Sequence, residues 1–357
     1  MRSIYRTSKI YMKILVLSYK FFPDIGGIEV NSELLADYFH KFGAEVCVVT
    51  TSDADVTHNR EFRYEVVRNP SKLALIKLYL WADTVLENNP VLNLSWPLTF
   101  IKKRHCIALN TWISRVDGSL AIQDKLKLQW LRKADVVIAV SEKVRELTFK
   151  DAIVIGNPYR DDLFVTLNEN RIRDFVFLGR LVSDKGVDMA VDLLHKLNSD
   201  ASFNNKTFSL TIIGDGPERN ELEKRCLDYN LGNHVIFTGT LQGIELVKCL
   251  NEHKYLLAPS RWREPFGNIA IEGMACGCIP IVSDGGGLID AVGKAGVVFE
   301  RNNLESLVQN VMYLLHDTEL ESKLRSEFGN HLGNHKPELV AQQYFNVLQK
   351  TVNNEKH

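Results

Sequence analysis

Short runs of β-branched and apolar residues alternate with amphipathic stretches along most of this chain, and that alternation restricts the fold more than any other feature. Strands that alternate with helices make βαβ units, and βαβ units build a parallel sheet covered by helices. Lys13–Ser18 (KILVLS), Glu45–Thr50 (EVCVVT), Cys106–Asn110 (CIALN), Asp135–Val140 (DVVIAV) and Ile153–Ile155 read as strands of a first half. Between the first two, Val30, Leu34, Leu35, Tyr38 and Phe42 recur at helical spacing. Ser141 is placed to cap a helix over Glu142–Phe149. The polar stretch Arg160–Arg173 has neither period and reads as a linker.

The alternation then restarts. Strands are expected at Phe175–Leu178, Leu210–Ile213, Val235–Thr238, Tyr255–Ala258 and Ile279–Val282. Helices are expected near Val187–Leu197, Glu218–Tyr229, Ile244–Leu250 and Asn268–Cys276, with an almost entirely helical tail from Leu304. A length of 357 residues accommodates two such α/β halves at roughly 100–200 residues per domain.

Composition excludes several classes. Lys+Arg is 43 and Asp+Glu is 44, so the net charge of -1 carries no global bias toward nucleic acid. Six scattered cysteines do not form a disulfide framework, and Cys276 and Cys278 lack the partner pair of a zinc site. This points to a reducing cytosol. The sequence contains no transmembrane run, and Met1–Tyr11 has no apolar core of a secretory signal, so it is an extension or Met12 is the true start.

The densest signal is SRWREPFGNIAIEGMACGCIPIVSDGGG, residues 260–287. Pro265 sets a turn, Gly267 opens a helix, and Asn268 and Glu272 fall at i and i+4 on one face of it. Glu264 lies in the loop just before. The N–H groups at Phe266, Gly267 and Asn268 are then available to anionic or hydroxyl oxygens. Two carboxylates flanking a helix start suit a ligand with hydroxyls at both ends and phosphate between. Arg180 and Lys185 follow a strand end, where open α/β sheets bind ligands. An Arg fork and a Lys point charge can hold a phosphate group, or the two are solvated surface cations. Gly214-Asp215-Gly216-Pro217 is a tight strand-to-helix turn, and Gly285–Gly287 is a flexible turn or a further part of the site. Gly26 and Gly27 lie between strand and helix, but not in the G-x-G-x-x-G spacing of a nicotinamide dinucleotide site. Glu29 is a first-turn helix carboxylate or a contact for a ligand hydroxyl. Asp53 and Asp55 formally match D-x-D but read as solvated loop residues.

The segment 260–287 resembles the E-x7-E signature of retaining, GT-B-fold glycosyltransferases of family 4, the glycosyltransferase group 1 enzymes. FLGRLVSDKG (177–186), IIGDGP (212–217), VIFTG (235–239) and the Gly26-Gly27 loop are similar to further segments of that family in order and spacing. The resemblance implies an α/β GT-B fold of two Rossmann-like, doubly wound parallel-sheet domains facing a cleft. Residues 1–165 would bind acceptor, with the helix of 337–357 packing back on them. Residues 166–336 would bind the sugar nucleotide. It implies a retaining, metal-independent transferase that moves sugar from a nucleoside-diphosphate sugar to a glycan, lipid-linked or small-molecule acceptor in polysaccharide or glycoconjugate synthesis. No cofactor or metal is expected beside the donor, nor a nucleic-acid partner.

The implied catalytic set is Glu264, Arg180, Lys185 and Asn110. The implied donor-binding set is Gly26, Gly27, Gly214, Gly216, Thr238, Gly239, Phe266, Gly267, Asn268, Ile269 and Glu272, with Glu272 on the ribose and Glu264 on the sugar. Asn110 stands where many relatives have a histidine, and an amide can orient but cannot act as a base. Two alternatives remain, a sugar-nucleotide epimerase and an inactive sugar-nucleotide-binding protein. Residues 72–104 pair Leu75, Leu78, Leu80, Trp81, Trp96 and Phe100 with Lys72, Lys77, Lys102 and Lys103. They form either a membrane-surface patch, which would place a cytoplasmic enzyme at the inner face of the membrane, or part of the core.

Overall fold

The computed structural model describes residues 12–24, 26–54, 60–114, 119–167, 170–203 and 206–353. Met1–Tyr11 and Asp55 lie outside the described residues. The chain divides into two compact units, Met1–Asn157 with Pro337–His357, and Pro158–Lys336.

The N-terminal unit runs β1 (Lys13–Ser18), α1 (Gly27–Lys41), β2 (Glu45–Thr50), β3 (Glu65–Arg68), α2 (Lys72–Trp81), β4 (Thr84–Asn88), α3 (Leu92–Ser95), β5 (Arg104–Leu109), α4 (Ile122–Leu131), β6 (Val136–Ala139), α5 (Glu142–Thr148) and β7 (Ile153–Val154). Its described strands form a parallel sheet in the order β3-β2-β1-β4-β5-β6-β7. The apolar run of β1 is continuous because both faces of the strand are covered. Ile14 and Val16 pack with Leu35 and Phe39 of α1, while Leu15 and Leu17 pack with Leu75 and Tyr79 of α2.

The second unit runs β8 (Arg173–Leu178), α6 (Val187–Ser199), β9 (Leu210–Ile213), α7 (Arg219–Asp228), β10 (Val235–Gly239), α8 (Gly243–Asn251), β11 (His253–Ala258), α9 (Asn268–Ala275), β12 (Ile279–Ser283), α10 (Leu288–Val292), β13 (Val297–Phe299), α11 (Leu304–His316) and α12 (Thr318–Asn334). Its described strands are again all parallel, in the order β10-β9-β8-β11-β12-β13. Side-chain oxygens start the tail helices: Asn303 Oδ1 accepts from Ser306 N at 3.0 Å, and Asp317 Oδ1 accepts from Leu320 N at 2.8 Å. The last helix, α13 (Pro337–Val352), belongs to the N-terminal unit, where Phe345 lies 5.9 Å from Phe39 and 5.4 Å from Phe42 between ring centroids. Among the described residues no helix is long and apolar enough to cross a membrane.

Three differences from the sequence expectations have physical causes. The first unit ends at Asn157, eight residues before the expected 165/166 boundary. The segment after it is tied into the second unit, as Thr166 Oγ1 donates to Ala275 O at 3.0 Å and Leu167 N to Asn251 Oδ1 at 2.7 Å. The unassigned segment 72–104 contains the helices α2 and α3 and the central strand β4. Strand β4 was hidden because the buried Glu87 breaks its apolar pattern. That carboxylate lies 2.6 Å from His105 Nε2 and accepts from Trp130 Nε1 at 2.7 Å and Val91 N at 2.8 Å. Strands β3 and β13 are short, and α4 has two exposed apolar residues, Ile122 and Leu126. None of the three carries a clear period.

Candidate active site

Both sheets reverse their direction of winding beside their first strand, between β1 and β4 and between β8 and β11. In doubly wound sheets the crevice outside the carboxyl ends of the strands at such a reversal is where ligands bind. In the second unit, the segments leaving β8, β9, β11 and β12 carry most of the predicted site residues.

Gly214 and Gly216 follow β9. Gly214 has φ +138°, and a Cβ there would stand 1.9 Å from Gly179 O. A Cβ on Gly216 would meet Leu181 O at 2.4 Å. Leu181 N donates to Asp215 O at 3.0 Å, and Glu218 N donates to Leu181 O at 3.2 Å. These glycines therefore let two loop backbones lie against each other at the carboxyl ends of β8 and β9. Arg180, held on one of these loops, has an exposed side chain. Gly239 is also left-handed, with φ +73°, and its carbonyl accepts from Gly214 N at 2.8 Å. The Thr238 hydroxyl lies 2.9 Å from that same carbonyl, so its hydrogen is used inside the protein.

The structure brings Lys185 and Glu264 together. Lys185 sits in a 3-10 turn, Ser183–Lys185, ahead of α6, and its Nζ is ion-paired with Glu264 Oε1. The Ser260 hydroxyl lies 3.2 Å from the same oxygen, and the Lys185 ammonium lies 5.7 Å from the centroid of the Trp262 ring. The Glu264 backbone is placed by the glycine run. Gly287 N donates to Glu264 O at 2.7 Å, and a Cβ on Gly287 would lie 2.1 Å from Pro265 O. Gly286 has φ +88°, and its Cβ would lie 2.3 Å from Glu264 O. The run is thus a close-packed support for the Glu264 loop, not a flexible turn.

Phe266 is buried and its ring lies 5.4 Å from His335. Gly267, at φ +106°, forms the bend before α9, where a Cβ would strike Leu288. Asn268 and Ile269 follow as the first residues of α9, and both are partly exposed. Glu272, one turn further, keeps part of its surface accessible, and burial pushes its carboxyl up to about 7. Asn268 and Glu272 share α9, whereas Glu264, on the loop before it, is ion-paired with Lys185. The two glutamates thus occupy unlike electrostatic settings.

In the N-terminal unit, Gly26 precedes α1 and Gly27 is its first residue. Gly26 is extended, at φ -177°, and its hydrogen faces the Glu29 carboxylate. Asn110 lies one residue past β5 and is buried. Its N–H donates to Asn89 Oδ1 at 2.8 Å, its amide donates to Asn88 Oδ1, and its carbonyl oxygen accepts from Asn31 Nδ2 at 3.4 Å. Asn31 also donates to Asn157 Oδ1 at 3.3 Å, and Asn88 donates to Ile28 O at 3.0 Å. Sequence reasoning missed Asn31, Asn88 and Asn89 as partners of Asn110, and Asn157 as a partner of Asn31, since asparagines on separate segments give no local signal. Asp53 is exposed and accepts from Asn69 Nδ2 at 2.8 Å, as a solvated loop residue would. Among the described residues no group of three His, Cys, Asp or Glu side chains is arranged to hold a metal ion.

Two doubly wound parallel-sheet units, with ion-pairing and carboxylate groups at the strand ends of the second, are the architecture of the GT-B class. The chain superposes on the HepE protein of Anabaena, solved in complex with UDP and glucose, with a TM-score of 0.74, 18% identity, and coverage of 95% of this chain and 100% of that one. Residues 160–330, within the second unit, match the model of the family described as glycosyl transferases group 1. An uncharacterized glycosyltransferase of Methanocaldococcus jannaschii is 27% identical over 340 residues, covering 88% of this chain and 92% of the relative. A 2-deoxystreptamine glucosyltransferase of Streptomyces kanamyceticus is 32% identical over 185 residues, but the match spans only 49% of this chain and 46% of that protein.

Proposed function

We propose that the protein is a retaining, metal-independent glycosyltransferase of family 4 that uses a nucleoside-diphosphate sugar. The observation that carries this reading is the meeting of Lys185 and Glu264 at the β8/β11 reversal, with Arg180 on the adjoining loop and Glu272 on α9. Arg180 and Lys185 supply positive charge for the departing diphosphate, the work a divalent ion does elsewhere. Glu272 accepts ribose hydroxyls and Glu264 accepts hydroxyls of the donor sugar. The bond from the anomeric carbon to phosphate breaks as the bond to the acceptor oxygen forms on the same face. The acceptor proton passes to the leaving phosphate oxygen. Asn110, a neutral amide bonded to other amides, orients groups but takes no proton. The N-terminal unit binds the acceptor, a glycan, lipid-linked or small-molecule hydroxyl compound, in surface polysaccharide or glycoconjugate synthesis. UDP and glucose bound to HepE, and the glucosyltransferase named above, support a sugar-nucleotide donor.

For a lipid-linked acceptor the enzyme docks on an anionic bilayer. Helix α2 supports this, since it turns Lys72, Leu73, Lys77 and Leu80 outward and contains no acidic residue, while Phe100 and Lys102 are exposed on the segment after it. The functional reading is tested by thermal shift with UDP-, GDP- and ADP-sugars, followed by a transfer assay in excess EDTA with the donor that binds. Stabilisation by one donor class and transfer that survives EDTA are expected. Activity lost in EDTA and restored by magnesium or manganese would remove the metal-independent mechanism.

A further inference from the structure

We propose that Arg261 and Asp188 are positioning residues that set the geometry of the Lys185–Glu264 pair without touching the donor themselves; this rests on the donor reading above. The two segments that carry the pair are bound to each other at three levels. At one end is the pair itself, Lys185 with Glu264. In the middle, Gly186 is left-handed at φ +69°, and a Cβ there would lie 2.1 Å from Pro259 O, so the backbones touch. The carbonyl of Asp184, next to Lys185, receives Arg261 N at 2.8 Å and Trp262 N at 3.1 Å, and lies 3.1 Å from the Ser260 hydroxyl. At the other end, Arg261 grips Asp188 with both arms of its guanidinium, each at 2.6 Å, and its Nη1 also donates to Ser183 O at 2.9 Å.

The spacing makes this a clamp. Asp188 lies three residues after Lys185, and Arg261 lies three residues before Glu264. One planar fork therefore fixes the start of α6 against the loop leaving β11, and the pair closes on the far side of the same contact. Fork-to-carboxylate geometry specifies direction as well as distance, and a lysine at 261 would supply only a point charge. Burial by itself would raise the Asp188 carboxyl. The two bonds and charge of Arg261, with the charge of Arg225, bring it below its ordinary value, so the clamp is ionised. Arg225 braces the same carboxylate at 3.6 Å and reaches Asp192 at 3.0 Å.

The test is a mutant cycle read with the donor that the wild-type protein uses. Arg261→Gln and Asp188→Asn should each lower kcat/KM by about tenfold or more, the scale for a small misplacement of reacting groups. Arg261→Lys should fall between wild type and Arg261→Gln. In a Glu264→Gln background, Arg261→Gln should cost about twofold or less, because the loop then has no carboxylate to present. A purely structural role would instead multiply its loss in both backgrounds. If Arg261→Gln melts below the assay temperature, Asp188→Asn carries the same cycle. Equal losses in both backgrounds, or wild-type rates in Arg261→Gln and Asp188→Asn, would overturn the proposal alone. A wild-type protein that transfers no sugar overturns the donor reading and this proposal with it.

Discussion

Glu264 and Glu272 stand eight residues apart on one loop-helix segment and differ in what surrounds them. Glu264 is paired with Lys185, so it is a carboxylate held by an opposite charge. Glu272 is pushed up to about 7 by burial, while the same group in an unfolded chain titrates near 4.5. The stability that goes with this raised value is complete below the ordinary carboxyl range and is lost as the pH rises toward 7, because the unfolded chain ionises first. Glu272→Gln should therefore raise the melting temperature more at pH 8 than at pH 5. The same variant should weaken binding of the bare nucleoside diphosphate by about tenfold, the scale for a charge-assisted hydrogen bond. Glu264→Gln should lower turnover without weakening the diphosphate, since it leaves Lys185 in place with one competitor fewer. Calorimetry with the diphosphate and rate measurements decide both, and the reverse pattern would exchange the two roles.

At the scale of elements, α2 buries one face of residues 72–81 in the core and leaves the other exposed. Leu75 and Tyr79 point into the core beneath β1, while Leu73 and Leu80 are 74% and 63% exposed. Ser71 begins the helix, with its hydroxyl accepting from Ala74 N at 3.2 Å. The segment is core on one side and a cationic, apolar surface on the other, which is why its composition alone did not separate the two. Cosedimentation with anionic vesicles is expected at low salt, with release at high salt as screening shortens the electrostatic reach. Leu73→Glu combined with Leu80→Glu should abolish it without unfolding, because both side chains already face solvent. Full-strength sedimentation of that double variant would remove α2 from the docking surface.

At the scale of the whole molecule, the polypeptide leaves its first unit at Asn157 and returns to it with α13. Phe345 is 5% exposed and lies between Phe39 and Phe42. Phe345→Ala should cost about 3–5 kcal/mol, the range for emptying a buried aromatic site. Amide exchange should quicken in α1 and β5 and stay unchanged in β9, since the damage belongs to the N-terminal unit. Unchanged exchange in α1 would detach α13 from that core. The period of the apolar residues, the β-branched runs and the Pro-Phe-Gly-Asn turn were enough, from the amino-acid order alone, to yield two α/β halves, most of the strands of the second, and the segment holding Glu264 and Glu272. Local spacing carries that information because strands buried on both faces must be continuously apolar and a helix start needs a bend. It could not carry β4, whose Glu87 is matched by His105 and Trp130 from later in the chain. Nor could it carry the pairing of Lys185 with Glu264, the clamp of Arg261 on Asp188, or the amides around Asn110. Each of these joins residues on separate segments near the strand ends, and only the winding of the sheet decides which segments meet.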